Sequence, residues 1–240
     1  MRYIILLLTT LCLQSASAQH AAKALDAYKQ ADYPTAITLW EKELKTKNCN
    51  KEQAYYLLGN AHFKNKNFAH AIANYEKSLR ENYNQEDVKF NIKVLRAKLG
   101  LDTENKILFT NDYLRKVSFL LSEFILKLLI IILSCLLLAY NIYRFFKGDL
   151  KFGFLKNYLF AFTLVLLCLY FLQEKFRQEK GFAIISIEST GYENMNLKGE
   201  SKALRIGEMV KVLDEIGETI QVEAENSKHY WIQKSSIISI

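Results

Sequence analysis

Apolar residues are distributed along the chain in four patterns, and each predicts a different kind of element. Tyr3 to Leu13 is a short unbroken apolar run near the N-terminus. Residues 19–100 mix apolar and polar positions at the spacing of amphipathic helices. Leu126–Tyr143 and Leu155–Leu172 are two long apolar runs of 18 residues, each with a single charge near its start, Lys127 and Lys156, and each near the lower limit for crossing a hydrocarbon core of about 30 Å. Beyond residue 180 the pattern becomes short and alternating. Ala183–Ile187, Met209–Leu213, Thr219–Glu223 and Tyr230–Ile232 are strand-like runs separated by turns that contain Gly207, Gly217 and Asn226-Ser227.

The helical stretch repeats itself with a shift of 35 residues. The shift pairs Tyr28 with Phe63, Tyr33 with Phe68, Ala36 with Ala71, Ile37 with Ile72, Trp40 with Tyr75 and Leu44 with Leu79. Each copy reads as two helices joined by a short polar turn, with alanine where they cross. Pro34 suits the first turn of a helix, where its missing N–H is not needed. A further first-type helix is expected at Glu86–Lys98. Tyr55, Leu58, Gly59, Ala71 and Tyr75 carry a resemblance to the tetratricopeptide (TPR) repeat, a helix pair that stacks into arrays. Tyr83 stands where that family usually has proline, and Ala24 where it has glycine. The resemblance implies an all-α repeat domain over 19–105 whose concave groove binds proteins. It places Tyr56, Asn60, Phe63 and Asn91 in that groove, where amides could bond an extended peptide and aromatic rings could supply contact area. Tyr56 and Phe63 could equally serve to pack one helix on the next. His62 and His70, on different helices, read as packing or solvated residues rather than metal ligands.

Met1-Arg2, the apolar run and Ala16-x-Ala18 form the pattern of a secretory signal peptide over 1–18, with cleavage expected after Ala18 and an uncleaved anchor as the alternative. The two long runs predict transmembrane helices, the first over 117–146 with its flanks and the second over 154–173, joined by a turn over 147–153. Aromatic residues crowd their ends, as at membrane interfaces. Arg144, Lys147, Lys151 and Lys156 face one acid, Asp149, in and around that turn, which favours a cytoplasmic location. Both soluble stretches are then expected in the periplasm, with the protein in a bacterial inner membrane. In the C-terminal stretch, Leu204-x-x-Gly207-x-x-Val210-x-Val212, Val222 and Trp231-Ile232 resemble the bacterial SH3-like domain. That implies a small all-β barrel over 181–240, with Tyr230 and Trp231 as a candidate surface or, for Trp231, core. Thr219 and Tyr230 depart from the family's usual Trp and Gly.

Composition narrows the function. The net charge of +7 is spread unevenly: residues 19–116 hold 17 basic and 12 acidic side chains, whereas 173–240 hold 9 and 11. No dense basic patch suited to nucleic acid results. The four cysteines, Cys12, Cys49, Cys135 and Cys168, show neither a disulfide framework nor a C-x-x-C pair. No phosphate loop, zinc-binding helix motif or nucleophile elbow is present, and the four histidines fall in separate segments. The expectation is therefore a protein that is not an enzyme and needs no cofactor or metal.

The succession of signal peptide, TPR array, membrane hairpin and SH3-like tail resembles the E-type proteins of the bacterial aerotolerance (Bat) operon. That resemblance implies a non-catalytic inner-membrane scaffold linked to envelope stress or aerotolerance, with von Willebrand A-type membrane proteins and a MoxR-type ATPase as partners. The alternative is an envelope sensor whose SH3-like domain binds cell-wall peptide, with peptidoglycan as the partner.

Overall fold

The computed structural model describes residues 21–46, 49–102, 112–147, 153–178, 181–197, 199, 201–225 and 227–240. The expected signal peptide, and residues 148–152 of the expected turn, lie outside the described residues. The chain divides into two compact units. One contains the helical repeats together with the C-terminal sheet, and the other is built mainly from residues 111–179.

The helical part comprises α1 (21–29), α2 (Tyr33–Glu43), α3 (Lys51–Lys64), α4 (Phe68–Glu81) and α5 (Glu86–Lys98). The 35-residue repeat extends to the backbone. Ala31 and Lys66 both take left-handed φ angles, 61° and 63°, in the turns that end α1 and α3. Asp32 N–H donates to Ala27 O at 2.9 Å, and Asn67 N–H donates to His62 O at the same distance. These bonds close the helix C-termini in the way a left-handed cap does. Asp32 and Asn50 cap the next helices, each accepting from a backbone N–H at 3.2 Å. Ala36 and Ala71 are fully buried at the crossings, where a larger side chain would force the helices apart. Trp40, with Ala24 and Ala36 of the first helix pair and Leu58 and Ala61 of α3, forms a core shared by α1, α2 and α3.

The C-terminal residues form seven antiparallel strands: β1 (Phe182–Ile185), β2 (Ser189–Tyr192), β3 (Ser201–Leu204), β4 (Met209–Ile216), β5 (Thr219–Glu223), β6 (His229–Gln233) and β7 (Ile237–Ser239). Their order across the sheet is β3-β2-β6-β5-β4-β1-β7. Ala183, Leu204, Val210, Val222, Tyr230 and Ile232, from both ends of that order, share one buried cluster, so the sheet curls around a single core. It is not closed into the barrel expected from the sequence, because β3 and β7 end the ladder without pairing with each other. β2, β3 and β7 have no period-two signal of their own. Their places are set by their ladder partners: β2 pairs with β6 and β3, and β7 pairs with β1.

The helices and the C-terminal sheet pack into one compact unit. Helix α4 contacts β1 and β7. The turn before β4 seats Gly207 at φ 84°, and a Cβ there would lie 2.6 Å from Leu99 Cδ1 and 3.0 Å from Ile72 Cδ1. Only glycine meets both demands. Arg205 Nη1 donates to Gly100 O at 2.7 Å. Arg96, buried on α5, donates through Nη2 to Glu225 Oε1 at 2.6 Å and through Nε to Asp102 O at 2.6 Å.

The second unit contains α6 (Asp112–Ser118), α7 (Glu123–Lys147) and α8 (Gly153–Arg177). The apolar helices are 25 residues each, and Glu123–Phe146 and Lys156–Arg177 are long and apolar enough to cross a membrane. Only 6% of the apolar window of the first is buried, unlike a core helix of a soluble protein. The first long helix begins at Glu123, after a turn at residues 119–122. The second extends past the expected boundary at 173 to Arg177. α7 and α8 are antiparallel: Arg177 pairs with Glu123 at 2.9 Å, and Lys127 also pairs with Glu123. Leu126 and Leu166 are buried between the helices.

Candidate functional site

Tyr56, Asn60 and Phe63 lie on α3 at the i, i+4, i+7 spacing that puts side chains on one helix face. All three, with Asn91 on α5, are partly exposed. A residue that the sequence marks only as a repeat position organises them. Tyr75, on α4, is buried, and its hydroxyl donates to Asn60 Oδ1 at 2.7 Å. Asn91 hydrogen-bonds the same phenol from α5, and the Tyr56 ring lies 6.2 Å from the Tyr75 ring. Burial holds the Tyr75 phenol well above its ordinary pKa, so it remains a neutral donor. The signal was available: Tyr75 is the repeat partner of the buried Trp40, and a buried tyrosine hydroxyl needs a hydrogen-bond partner.

This arrangement changes the role of the two amides. The sequence suggested that Asn60 and Asn91 are free for a bound peptide, yet both engage Tyr75 and so tie α3, α4 and α5 together. Replacing Asn60 with alanine should cost about 1–3 kcal/mol, because a buried hydroxyl loses its acceptor. Tyr75→Phe in the same chain should recover most of that loss, since no unpaired hydroxyl then remains. Urea unfolding of the single and double variants of the full chain checks this. A loss that Tyr75→Phe does not relieve removes the bond from the fold's support.

Gly59 meets the same ring. A Cβ at this position would lie 2.5 Å from both Tyr75 Cδ1 and Cε1. Alanine normally gains about 1 kcal/mol over glycine within a helix. Here overpacking by about 1–3 kcal/mol outweighs that gain. Gly59→Ala should therefore lower the urea midpoint and loosen the Tyr56–Tyr75 contact, whereas an exposed helical glycine would respond in the opposite sense.

The rest of the face is aromatic and basic. Phe63 and Phe68 lie 6.1 Å apart, as Tyr28 and Tyr33 lie 5.5 Å apart in the first copy. The ammonium of Lys98 sits 4.5 Å from the Phe68 ring centroid and 5.7 Å from that of Phe63, within cation–π range. Helix α5 also exposes Phe90 and Val94 one turn apart. Such a surface combines apolar contact area with a few fixed polar groups. His62 and His70 stack with ring centroids 5.1 Å apart. Among the described residues, no group of three or more His, Cys, Asp and Glu side chains is placed to hold a metal ion.

The other candidate surface is not on the outside. Tyr230 is 5% and Trp231 9% exposed, because alternation along β6 is overridden where the sheet curls and both faces are covered. Tyr230 belongs to the sheet core, and Trp231 pairs with Tyr192 of β2 and Gln221 of β5.

Residues 52–85, spanning α3, α4 and the turn after them, match the tetratricopeptide repeat family. This match covers the Gly59–Tyr75 contact and the Tyr75–Asn60 bond. Among curated proteins, none matches the chain. A tetratricopeptide repeat suggests a role in protein–protein interaction.

Proposed function

We propose that the protein is a non-catalytic membrane scaffold whose helical-repeat face binds an extended segment of another protein. The observation that carries this reading is the aromatic and amide face on α3 and α5, held by Tyr75 within a matched tetratricopeptide repeat. A membrane hairpin formed by α7 and α8 anchors the scaffold. Two crossings return the chain to the side it left, and this agrees with the packing of residues 21–102 and 181–240 into one unit. The basic turn favours the cytoplasm and the signal-like N-terminus favours export, so the packed unit is assigned to the periplasm. The curled sheet is read as an SH3-like module that braces the repeats, with Leu204, Val210 and Val222 of the resemblance in one core and Gly207 at the turn that needs it. The order of modules supports partners of the aerotolerance type, membrane proteins with von Willebrand A-type domains and a MoxR-type ATPase, and a role in envelope stress.

The test is site-specific photo-crosslinking in intact membranes, with the crosslinker at Tyr56, Phe63 and Asn91 and a control at Glu41. Adducts to one defined membrane protein from the first three sites, and none from the control, support the scaffold. Equal labelling at all four sites refutes the face as the binding surface. Retention on purified peptidoglycan that depends on residues 181–240 favours the cell-wall sensor instead. For topology, Cys49, which is partly exposed, and a cysteine at Ser227 should both react with an impermeant maleimide in spheroplasts. Protection of only one of them contradicts a two-span hairpin.

A further inference from the structure

Helix α6 is built inside out for a water-soluble element. Its buried face carries Arg115 and Ser118, 8% and 2% exposed, while Leu114 and Val117 are 47% and 37% exposed. Leu120, in the following turn, is 77% exposed. A helix docked on a protein in water presents the reverse pattern, apolar in and charged out. Several of the polar groups turned inward are engaged there. The Arg115 guanidinium lies 5.3 Å from the Phe176 ring centroid, and Ser118 Oγ donates to Arg115 O at 2.9 Å. Gln173 Nε2, from α8, donates to Ser118 O and Leu121 O at 2.7 Å each. The α6–α7 turn is thus fixed by α8, so the outward apolar residues are held in place rather than being a frayed end.

The exposed stripe does not stop at the turn. Phe124, Ile125 and Leu128, at the start of α7, are also exposed, so exposed apolar residues occur on both sides of the α6–α7 turn. Lys116 is exposed beside it, where a cation can reach lipid headgroups while the apolar side chains point deeper. We propose that residues 114–124 form an interfacial lipid-contacting surface, with Leu114, Val117 and Leu120 seated at the boundary between headgroups and acyl chains. The inference rests on the reading of α7 and α8 as a membrane hairpin and adds a surface that does not cross. Elements of this kind bind through buried apolar area together with attraction of basic residues to anionic lipid.

The experiment uses the full chain in vesicles of phosphatidylethanolamine and phosphatidylglycerol, with the native cysteines replaced by serine. Single cysteines at Leu114, Lys116, Val117, Leu120 and Leu138 carry a nitroxide, and collision rates are read with oxygen, which partitions into lipid, and with a water-soluble nickel chelate. The expected result is severalfold preference for oxygen at 114, 117 and 120, with the reverse at 116. Leu138, exposed in the middle of α7, is the reference for acyl-chain contact. If 138 is lipid-exposed but 114, 117 and 120 favour nickel, the surface faces water and the inference is overturned. If those three are shielded from both probes, a protein covers them, which also overturns it. If 138 itself favours nickel, the membrane hairpin fails and this surface with it.

Discussion

Replacing Glu225 with alanine is expected to destabilise the repeat–sheet unit by about 3 kcal/mol, since it strands the buried guanidinium of Arg96 without its counter-charge. The change removes few apolar contacts, so a loss of that size can come only from the uncompensated charge. Exchanging both partners, as Arg96→Met with Glu225→Leu, should cost much less, because no buried charge is then left alone. The two tryptophans report on the two halves: Trp40 is buried in the helical core and Trp231 in the sheet. In urea titrations of the full chain in detergent, their emission changes should coincide in the wild type, given the packing of α4 on β1 and β7. In Glu225→Ala they should separate or shift together to a lower midpoint. If the variant loses less than about 0.5 kcal/mol, the pair behaves as an exposed ion pair and does not couple the halves.

Mild acid should loosen the helical repeats. His62 is buried on α3, and its Nδ1 has no hydrogen-bond partner. Burial first, then the neighbouring His70, lowers its pKa from 6.5 to about 4. In the unfolded chain the imidazole takes up a proton near 6.5, whereas in the folded chain it resists until about 4. The unfolded state therefore binds more protons across that window, so stability is full above it and declines as pH falls through it. Between neutral pH and pH 5 the loss should be about 2 kcal/mol. Burial also lowers the pKa of His70, with Glu41 opposing and Lys77 adding to the effect, so a smaller dependence of the same sign remains when His62 is removed. His62→Phe, which keeps an aromatic ring against His70, should flatten most of the decline in the urea midpoint measured through Trp40. An unchanged slope in that variant would falsify the assignment of the acid response to His62.

The sequence carried the repeat down to its atoms. The 35-residue identity of spacing anticipated that Ala36 and Ala71 lie at crossings, and Trp40 and Tyr75 are equivalent buried rings. This was legible because helical packing is local and periodic, so each position's burial follows from neighbours three and four residues away. The groove was only partly legible. Tyr56, Asn60, Phe63 and Asn91 lie on α3 and α5, whereas the commitment of both amides to Tyr75 depends on where α4 crosses. A hydroxyl that reaches two other helices leaves no mark on the spacing of its own. In the sheet, β4, β5 and β6 were visible through β-branched runs. β2, with the sequence STGY, and β3, with SKAL, were not, because they are specified by partners distant in the chain.

Sequence alone determined the helix pairs, the two span-length apolar helices and the turn glycines, for which the physical causes are local: backbone propensity, side-chain period and permitted φ angles. Tertiary structure decided what is exposed and what is shared. It buried Tyr230 and Trp231 by curling the sheet, turned the apolar side of α6 outward, and joined the repeats to the sheet through Gly207 and the Arg96–Glu225 pair. These outcomes follow from contacts between residues far apart in the chain, 129 positions for Arg96 and Glu225. Such contacts are set by shape and charge complementarity between whole elements, which a one-dimensional pattern does not encode.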